Sequence, residues 1–367
     1  MLADILTADL RAVHENIADK VEVLAGKTIL LSGSSGFLGR HFLLNIQYLN
    51  AHVLEVPCRV IAIDNAIVGN GADTFGAIID QNFSHIAADI CAPLRLEGPV
   101  DYVVHMAGIA SPVFYMKYPL ETIRAAVHGT ENLLEFARVK KVKKFLVFSS
   151  SEIYGDPPDH AIPTPETYRG HVSTLGPRAC YDESKRMAET LAMTYFSLYQ
   201  VPVQIIRPFN VYGPGMHAVD RRVIPQFLTC ALQGRPLPIH GHGRQTRSYC
   251  YISDAIAGFL KVMLEDGVGQ VYNIGNPDEI SLNALAESVQ RHCPGVRVER
   301  IDYPAGYPAE EPMRRCPDIA KAKRELGYAP KIQLHEGIGR TLIWFQEHLK
   351  PALREAVPVA EVQGKLI

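Results

Sequence analysis

A chain of 367 residues is long enough for one large or two medium domains around a substantial core. With 47% hydrophobic and 21% charged residues the composition is that of a soluble globular protein, and a formal charge of −2 leaves no case for nucleic acid or an anionic membrane as partner. Seven scattered cysteines, an odd number with no Cys-x-x-Cys pair, fit a reducing, cytoplasmic compartment and argue against a disulfide framework or a metal site. No apolar run approaches the roughly 20 residues of a membrane span. Asp4, Asp9 and Glu15 interrupt the N-terminus as no signal peptide would.

Taken in order, residues 2–24 carry apolar positions at helical spacing and predict a helix leaning on the first domain. A short buried strand, Lys27-Thr28-Ile29-Leu30-Leu31-Ser32, then runs into Gly33-Ser34-Ser35-Gly36-Phe37-Leu38-Gly39 and an apolar helix to about Leu49. Glycines spaced in this way between a strand and a helix allow a tight turn, close backbone approach to a pyrophosphate and close helix–sheet packing. Residues 33–39, with Phe37 and Leu38 opening the helix, are therefore read as a dinucleotide turn. The next strand, Arg59–Asp64, ends in an acid, followed by Asn65. An acid there accepts hydrogen bonds from the adenosine ribose and repels a 2′-phosphate, which favours NAD over NADP. Asp64 lies 31 residues after Gly33, against a usual spacing of about 20, and the extra length is expected around 50–57.

Asp89 and Ile90 follow a third strand, where they reach toward an adenine, although Asp89 fits equally well as a helix cap. The fourth strand, Asp101–His105, is followed by small residues including Ala107, against which a cofactor can lie. His105 itself reads as structural. Ser111 and Tyr115 begin a loop at the carboxyl end of the sheet, where folds of this kind bind ligands. After a helix over 119–138, the fifth strand, Lys144–Phe148, ends in Ser149-Ser150-Ser151-Glu152. Hydroxyls and a carboxylate at that end of a strand are placed to meet a substrate.

The helix expected over 181–199 opens with Tyr181 and Lys185, one turn apart on one face. An ammonium near a phenol favours the phenolate. Lowering a phenol from about 10 to about 7 takes roughly 4 kcal/mol of differential interaction, so a pyridinium and a partly dry site are expected to add to Lys185. Such a phenolate removes the proton of a sugar hydroxyl as a hydride leaves the same carbon. Beyond the strand Val203–Arg207 the pattern becomes irregular and basic. Arg221, Arg222, Arg235, Arg244, Arg247, Arg314 and Arg315 suit an anionic ligand such as a nucleotide diphosphate.

The glycine turn, Asp64, the serine cluster, Tyr181-x-x-x-Lys185 and Arg207-x-x-Asn210-x-x-Gly213-Pro214 together resemble the extended short-chain dehydrogenases that act on nucleotide sugars. Ser150–Pro157, Gly170-His171-Val172, Gly176–Glu183, Gln245-Thr246-Arg247 and Arg315-Cys316-Pro317-Asp318 are similar to the UDP-glucuronate decarboxylases (UDP-xylose synthases) among them. Ser184 stands where that family usually has Gly, the wording of 106–109 differs, and the N-terminal helix is extra.

The resemblance implies an α/β fold, a Rossmann-type doubly wound parallel sheet with a smaller C-terminal α/β domain. Its boundaries are 1–25 for the helical extension, 26–214 for the NAD-binding domain with 246–276 packing back on it, 215–350 mainly for the nucleotide sugar, and 351–367 for a tail. It implies tightly bound NAD that takes a hydride from C4 of the sugar and returns it. Tyr181 takes the O4 proton, Lys185 holds Tyr181 and the nicotinamide ribose, and Ser150 hydrogen-bonds O4. Glu152 and Arg247 act around the carboxylate and C5. Nucleotide contacts carry over to Asn210, Gln226 and Arg315, and Ser151 joins Ser111 and Tyr115 toward the substrate. The two helices near 119–138 and 181–199 correspond to a homodimer interface. A 4,6-dehydratase would carry Asp where Ser151 stands, a 4-epimerase usually lacks a Glu beside the serines, and a non-catalytic NAD-binding protein would have a broken Ser150–Tyr181–Lys185 set. These three remain the alternatives to decarboxylation.

Overall fold

A computed structural model describes residues 1–68, 78–218, 220–303 and 312–348. The expected tail, 351–367, lies outside the described residues. Seven parallel strands form the central sheet: β1 (Thr28–Ser32), β2 (Arg59–Asp64), β3 (Phe83–Ala87), β4 (Tyr102–His105), β5 (Lys144–Phe148), β6 (Val203–Pro208) and β7 (Gln270–Ile274). Their spatial order is β7-β6-β5-β4-β1-β2-β3. β1 sits between β2 and β4, with Leu30 beside Ile61 on one flank and Val103 on the other. The chain therefore winds outward in both directions from β1, and a crevice opens past the carboxyl ends of β1 and β4, where such sheets take ligands.

The strands are apolar throughout because both faces are covered. Ile29 and Leu31 of β1 face one core cluster, shared with helices α1 (Leu2–Ile17) and α2 (Phe37–His52). Leu30 faces a second cluster, built on helices α3 (Pro119–Lys140) and α4 (Ala179–Tyr199). Helix α5 (Ile252–Leu264) lies on the first face, and almost every residue of it is buried. Residues 252–274, which include α5 and β7, thus complete the main sheet and one of its faces, although they follow the irregular segment in sequence.

Two elements differ in length from expectation. The N-terminal helix stops at Ile17, and a separate 3₁₀ turn covers Val21–Leu24. Between them Lys20 turns to Glu265 at the end of α5, 2.8 Å away. Helix α2 runs past Leu49 to His52, so the extra residues before Asp64 are divided between helix and loop. Asn50 clamps that loop: its Nδ2 donates to Cys58 O at 2.9 Å, and its Oδ1 accepts from Cys58 N at 2.8 Å.

Beyond the carboxyl edge, short strand pairs join Thr246–Ser248 to Glu279–Ser281 and Leu237–His240 to Val298–Ile301. The segment ends in helix α6 (Leu334–His348), which packs back toward α1.

Candidate active site

Backbone proximity shapes the turn between β1 and α2. Gly33 has φ +79, and a Cβ there would stand 2.5 Å from Ala107 N, at the end of β4. A Cβ on Gly39 would collide with Gly33 O, so the first turn of α2 lies directly on the loop. Gly36 precedes the helix as its N-cap. The turn is fastened to β2 by Asp64, whose Oδ2 accepts from Ser35 N at 2.9 Å and whose Oδ1 accepts from Ala66 N at 2.7 Å. A loop this close to the backbone of its neighbours, opening the N-terminus of a 16-residue helix, fits a dinucleotide pyrophosphate.

Around the turn, Asn65 accepts from Ile67 N at 3.2 Å. Asp89 closes its own turn by accepting from Cys91 N at 2.9 Å. The side chain of Ile90 is buried in the second core, against Gly129 of α3. Phe37 stacks edge-on to His41, Leu38 packs on the first core, and Ala107 is half-buried on the second. His105 is held within the sheet, with Nδ1 2.8 Å from Ser32 Oγ and Nε2 3.1 Å from Thr130 Oγ1. Burial and the Lys185 charge push it down to about 3, a neutral structural histidine.

Past β5 the chain makes a 3₁₀ turn, Ser151–Tyr154, capped by Ser150, whose Oγ accepts from Glu152 N at 3.2 Å. Ser151 is buried beneath this turn. The Tyr181 hydroxyl, brought in by α4, is hydrogen-bonded to the Ser150 side chain. The Tyr115 ring stacks on Tyr181, centroids 5.4 Å apart and 13° from parallel. Lys185, one turn along α4, donates to Phe148 O at 2.7 Å, and its Nζ lies 5.9 Å from the centre of the Tyr181 ring. A Cβ on Gly108 would stand 3.1 Å from Nζ, so Lys185 links the end of β5 to the small residues after β4.

The charge states differ from expectation at the phenol. Burial pushes Tyr181 up to about 12, against its hydrogen bond to Ser150 and the Arg222 guanidinium, which act to lower it. A dry site thus opposes the phenolate instead of assisting it, because burial penalises the charged form. Burial also brings Lys185 down to about 8, although Glu189 acts to raise it.

Glu152 is the most strongly bound carboxylate of the site. Arg178, the N-cap of α4, donates to its Oε2, and Arg315, from the C-terminal segment, donates to its Oε1. Burial raises Glu152, but Arg315, Arg178 and Arg247 together bring it down to about 2. Arg247 is itself buried, donating to Thr246 O at 2.8 Å. Asn210, with φ +38, donates to Ser248 O at 2.9 Å. Gln226 is half-buried on the helix Val223–Leu232. Ser111 donates to Asp220 Oδ1 at 3.4 Å, and Asp220 in turn pairs with Arg222 at 2.6 Å. Thus the structure brings Ser150, Glu152, Tyr181, Lys185, Tyr115, Arg247 and Arg315 to one edge.

Arg178 and Asp182 are functional candidates that the linear reading passed over, as is Arg222 in its relation to Tyr181. Arg178 and Asp182 flank Tyr181 at positions i and i+4, a spacing that places both on one helix face. That spacing was the available signal. Among the described residues, no group of three or more His, Cys, Asp or Glu is arranged to hold a metal ion.

A doubly wound sheet with a glycine turn after β1, and Tyr-x-x-x-Lys on the helix after β5, is the arrangement of the extended short-chain dehydrogenases, and the protein is an NAD-dependent enzyme of that class. The NAD dependent epimerase/dehydratase family matches residues 29–275, and the chain belongs to that family, alongside the UDP-glucuronic acid decarboxylases. UDP-glucuronic acid decarboxylase 5 of Arabidopsis thaliana is 39% identical over 84% of this chain and 86% of its own length. UDP-glucuronic acid decarboxylase 1 of Xenopus tropicalis is 38% identical over 88% of this chain and 73% of its own. Among solved structures, a dTDP-glucose 4,6-dehydratase from Streptomyces venezuelae with NAD bound superposes with a TM-score of 0.76 at 27% identity, covering 89% of this chain and 99% of that one. A mutant UDP-glucuronic acid 4-epimerase from Bacillus cereus in complex with NAD gives 0.70 at 25% identity, covering 87% and 99%.

Proposed function

We propose that this enzyme converts UDP-glucuronate to UDP-xylose and carbon dioxide. The observation that carries the reading is the Glu152 cluster: an ionised carboxylate beside Ser150 and Tyr181, surrounded by Arg178, Arg247 and Arg315. A sugar that is itself a carboxylate needs cations near C5 and a fixed group to orient it, and this cluster offers both. The named decarboxylases at 38–39% identity support the same reading.

Gly33, Gly36, Gly39 and Asp64 would hold NAD, with Phe37, Leu38, Asn65, Asp89, Ile90 and Ala107 around them. When bound, NAD supplies a two-electron acceptor that is regenerated in each turnover, since the net reaction consumes no reducing equivalents. Ser150 and Tyr181 hold O4 of the sugar, and the O4 proton moves to Tyr181 and later returns. Tyr181 accepts that proton as the phenolate, which burial disfavours, so the step needs nearby cations, and the chain supplies Lys185 and Arg222. Once C4 is a ketone, the carboxylate on C5 is that of a β-keto acid. Its carbon dioxide leaves as the electron pair spreads onto the C4 oxygen, which Ser150 and Tyr181 stabilise. Arg247 steadies the departing carboxylate, and Glu152, held ionised by its arginines, orients the sugar at C5. Asn210, Gln226 and Arg315 serve the nucleotide, and Ser111, Tyr115 and Ser151 line the sugar side. Residues 26–214 bind the cofactor and 215–350 mainly the nucleotide sugar.

Incubation with UDP-glucuronate and NAD⁺, followed by mass spectrometry, tests the reading. Loss of one carbon dioxide supports it. An unchanged mass with altered sugar stereochemistry would make the protein a 4-epimerase, and no turnover across nucleotide sugars would leave a binding protein.

The enzyme acts as a cytoplasmic homodimer in this reading. All seven cysteines are free thiols, and no helix among the described residues is long and apolar enough to cross a membrane. Helices α3 and α4 pack side by side and leave Leu120, Ile123, Met187, Leu198 and Tyr199 exposed by 38–68%, an apolar surface suited to a second copy. Light scattering at micromolar concentration is expected to give the dimer mass, and a monomer mass would sink this part.

A further inference from the structure

Two carboxyl groups share one guanidinium at the head of α4. Arg178 donates through Nη2 to Glu152 Oε2, while its Nε lies 3.7 Å from Asp182 Oδ2. Glu152 has a second cation, Arg315, on its other oxygen. Asp182 is in a weaker position. Its side chain is nine-tenths buried, at 10% exposure, and its Oδ1 has no hydrogen-bond partner among the described residues.

The groups around Asp182 are Arg178, Glu183 and Tyr181 on its own helix, Glu152 from the turn after β5, Tyr115 from the short helix Pro112–Lys117 that stands where a loop was expected after β4, and Arg315 from the C-terminal segment. An ionised carboxylate with a bare buried oxygen is costly, and protonation removes the cost. A neutral Asp182 no longer draws on the Arg178 guanidinium that holds Glu152. An ionised Asp182 competes for the same guanidinium and loosens its hold on Glu152.

We propose that Arg178 and Asp182 are positioning residues for Glu152, Arg178 holding its carboxylate toward the reacting sugar and the protonation of Asp182 setting how firmly. The proposal rests on the role given to Glu152 in decarboxylation. Burial, with Glu152 adding to it and Arg178 and Arg315 opposing, raises Asp182 to about 7. The grip is therefore full below that pH and relaxes above it.

The test uses the full-length enzyme with its bound cofactor, and Asp182→Asn and Arg178→Lys. In the wild type, kcat for carbon dioxide release is expected to decline several-fold through an ionisation near pH 7. In Asp182→Asn, which cannot ionise, that step disappears while the later one from Lys185 remains. Arg178→Lys keeps the charge but cannot fork between two carboxylates, so kcat should fall tenfold or more with KM within about twofold, the pattern of a lost transition-state interaction. Infrared spectroscopy gives a readout independent of turnover. The carboxylic acid band should be larger in the wild type than in Asp182→Asn at pH 6, the part common to both coming from Asp9, and that difference should shrink by pH 9. If Asp182→Asn shows the wild-type pH profile and the wild-type infrared band, or Arg178→Lys turns over normally, the proposal is overturned. If the wild type releases no carbon dioxide, the assigned reaction has failed, and the infrared comparison still decides the state of Asp182.

Discussion

Two carboxylates, Asp9 buried and Glu152 half-buried, have similar companions and opposite fates. Glu152, at the carboxyl edge of the sheet, is brought down to about 2. Asp9, on the buried face of the N-terminal helix, is raised to about 6. Each is paired with arginine: Arg178 and Arg315 at Glu152, Arg340 at Asp9. Asp9 also accepts from Tyr251 Oη at 2.7 Å. Burial penalises both, and the number of cations decides the outcome. Three guanidiniums around Glu152 exceed the penalty, whereas Tyr251 and one arginine at Asp9 do not. Burial raises both carboxyls, and Asp254 adds to it at Asp9, but only the Glu152 edge carries surplus positive charge. That surplus suits an anionic substrate, and the balance at Asp9 suits a staple between α1, α5 and α6.

The largest expected break in this comparison is Glu152→Gln. It should still fold and bind NAD, while xylose formation falls by about 10²-fold or more, the cost of a misplaced substrate. Accumulation of a 4-keto sugar in that variant would place Glu152 after oxidation, and slowed oxidation would place it in orientation. Near-wild-type turnover would make Glu152 structural.

A smaller effect, on stability alone, is expected at the other end. Arg340→Met removes the cation beside Asp9, and breaking such a pair from one side typically costs about 3–5 kcal/mol. Denaturant unfolding should show that loss while kcat stays within twofold. An unchanged midpoint would remove the staple.

The finest distinction is in the direction of pH dependence. Asp9 binds its proton more tightly folded than unfolded. Its contribution is therefore greatest near pH 4 and declines as pH rises toward 6, by about 3 kcal/mol for a shift of this size. Glu152 behaves in the opposite way, its contribution being present above about 4.5 and lost as pH falls toward 2. Asp9→Asn should reduce the fall in unfolding free energy between pH 4 and 6 to the part that Asp182 contributes, and leave the acid limb intact. A slope unchanged by Asp9→Asn would assign it elsewhere.

The fold and the cofactor turn were legible in the sequence because their causes are local. Apolar runs of strand length, Gly33 and Gly39 at a strand–helix junction, and an acid ending β2 each act over a few residues. The Tyr181–Lys185 pair is local in the same sense, since one helical turn brings the two together. Other features depended on chain segments meeting. Arg178 reaches Glu152 across 26 residues of sequence and Arg315 reaches it across 163. Neither pairing leaves a periodicity or a spacing to read. The resemblance supplied Arg315 as a nucleotide contact but not its hold on Glu152, and no local pattern pointed to the bond between Arg178 and Glu152. Charge states were less legible still. A lysine one turn from a phenol suggested a lowered pKa, but only the packed structure showed how thoroughly Tyr181 is removed from water. Sequence alone thus determined which chemical groups this protein owns and the sheet that carries them. Tertiary structure decided which charges meet and how dry each is, because burial and electrostatic neighbours are set by contacts between distant parts of the chain.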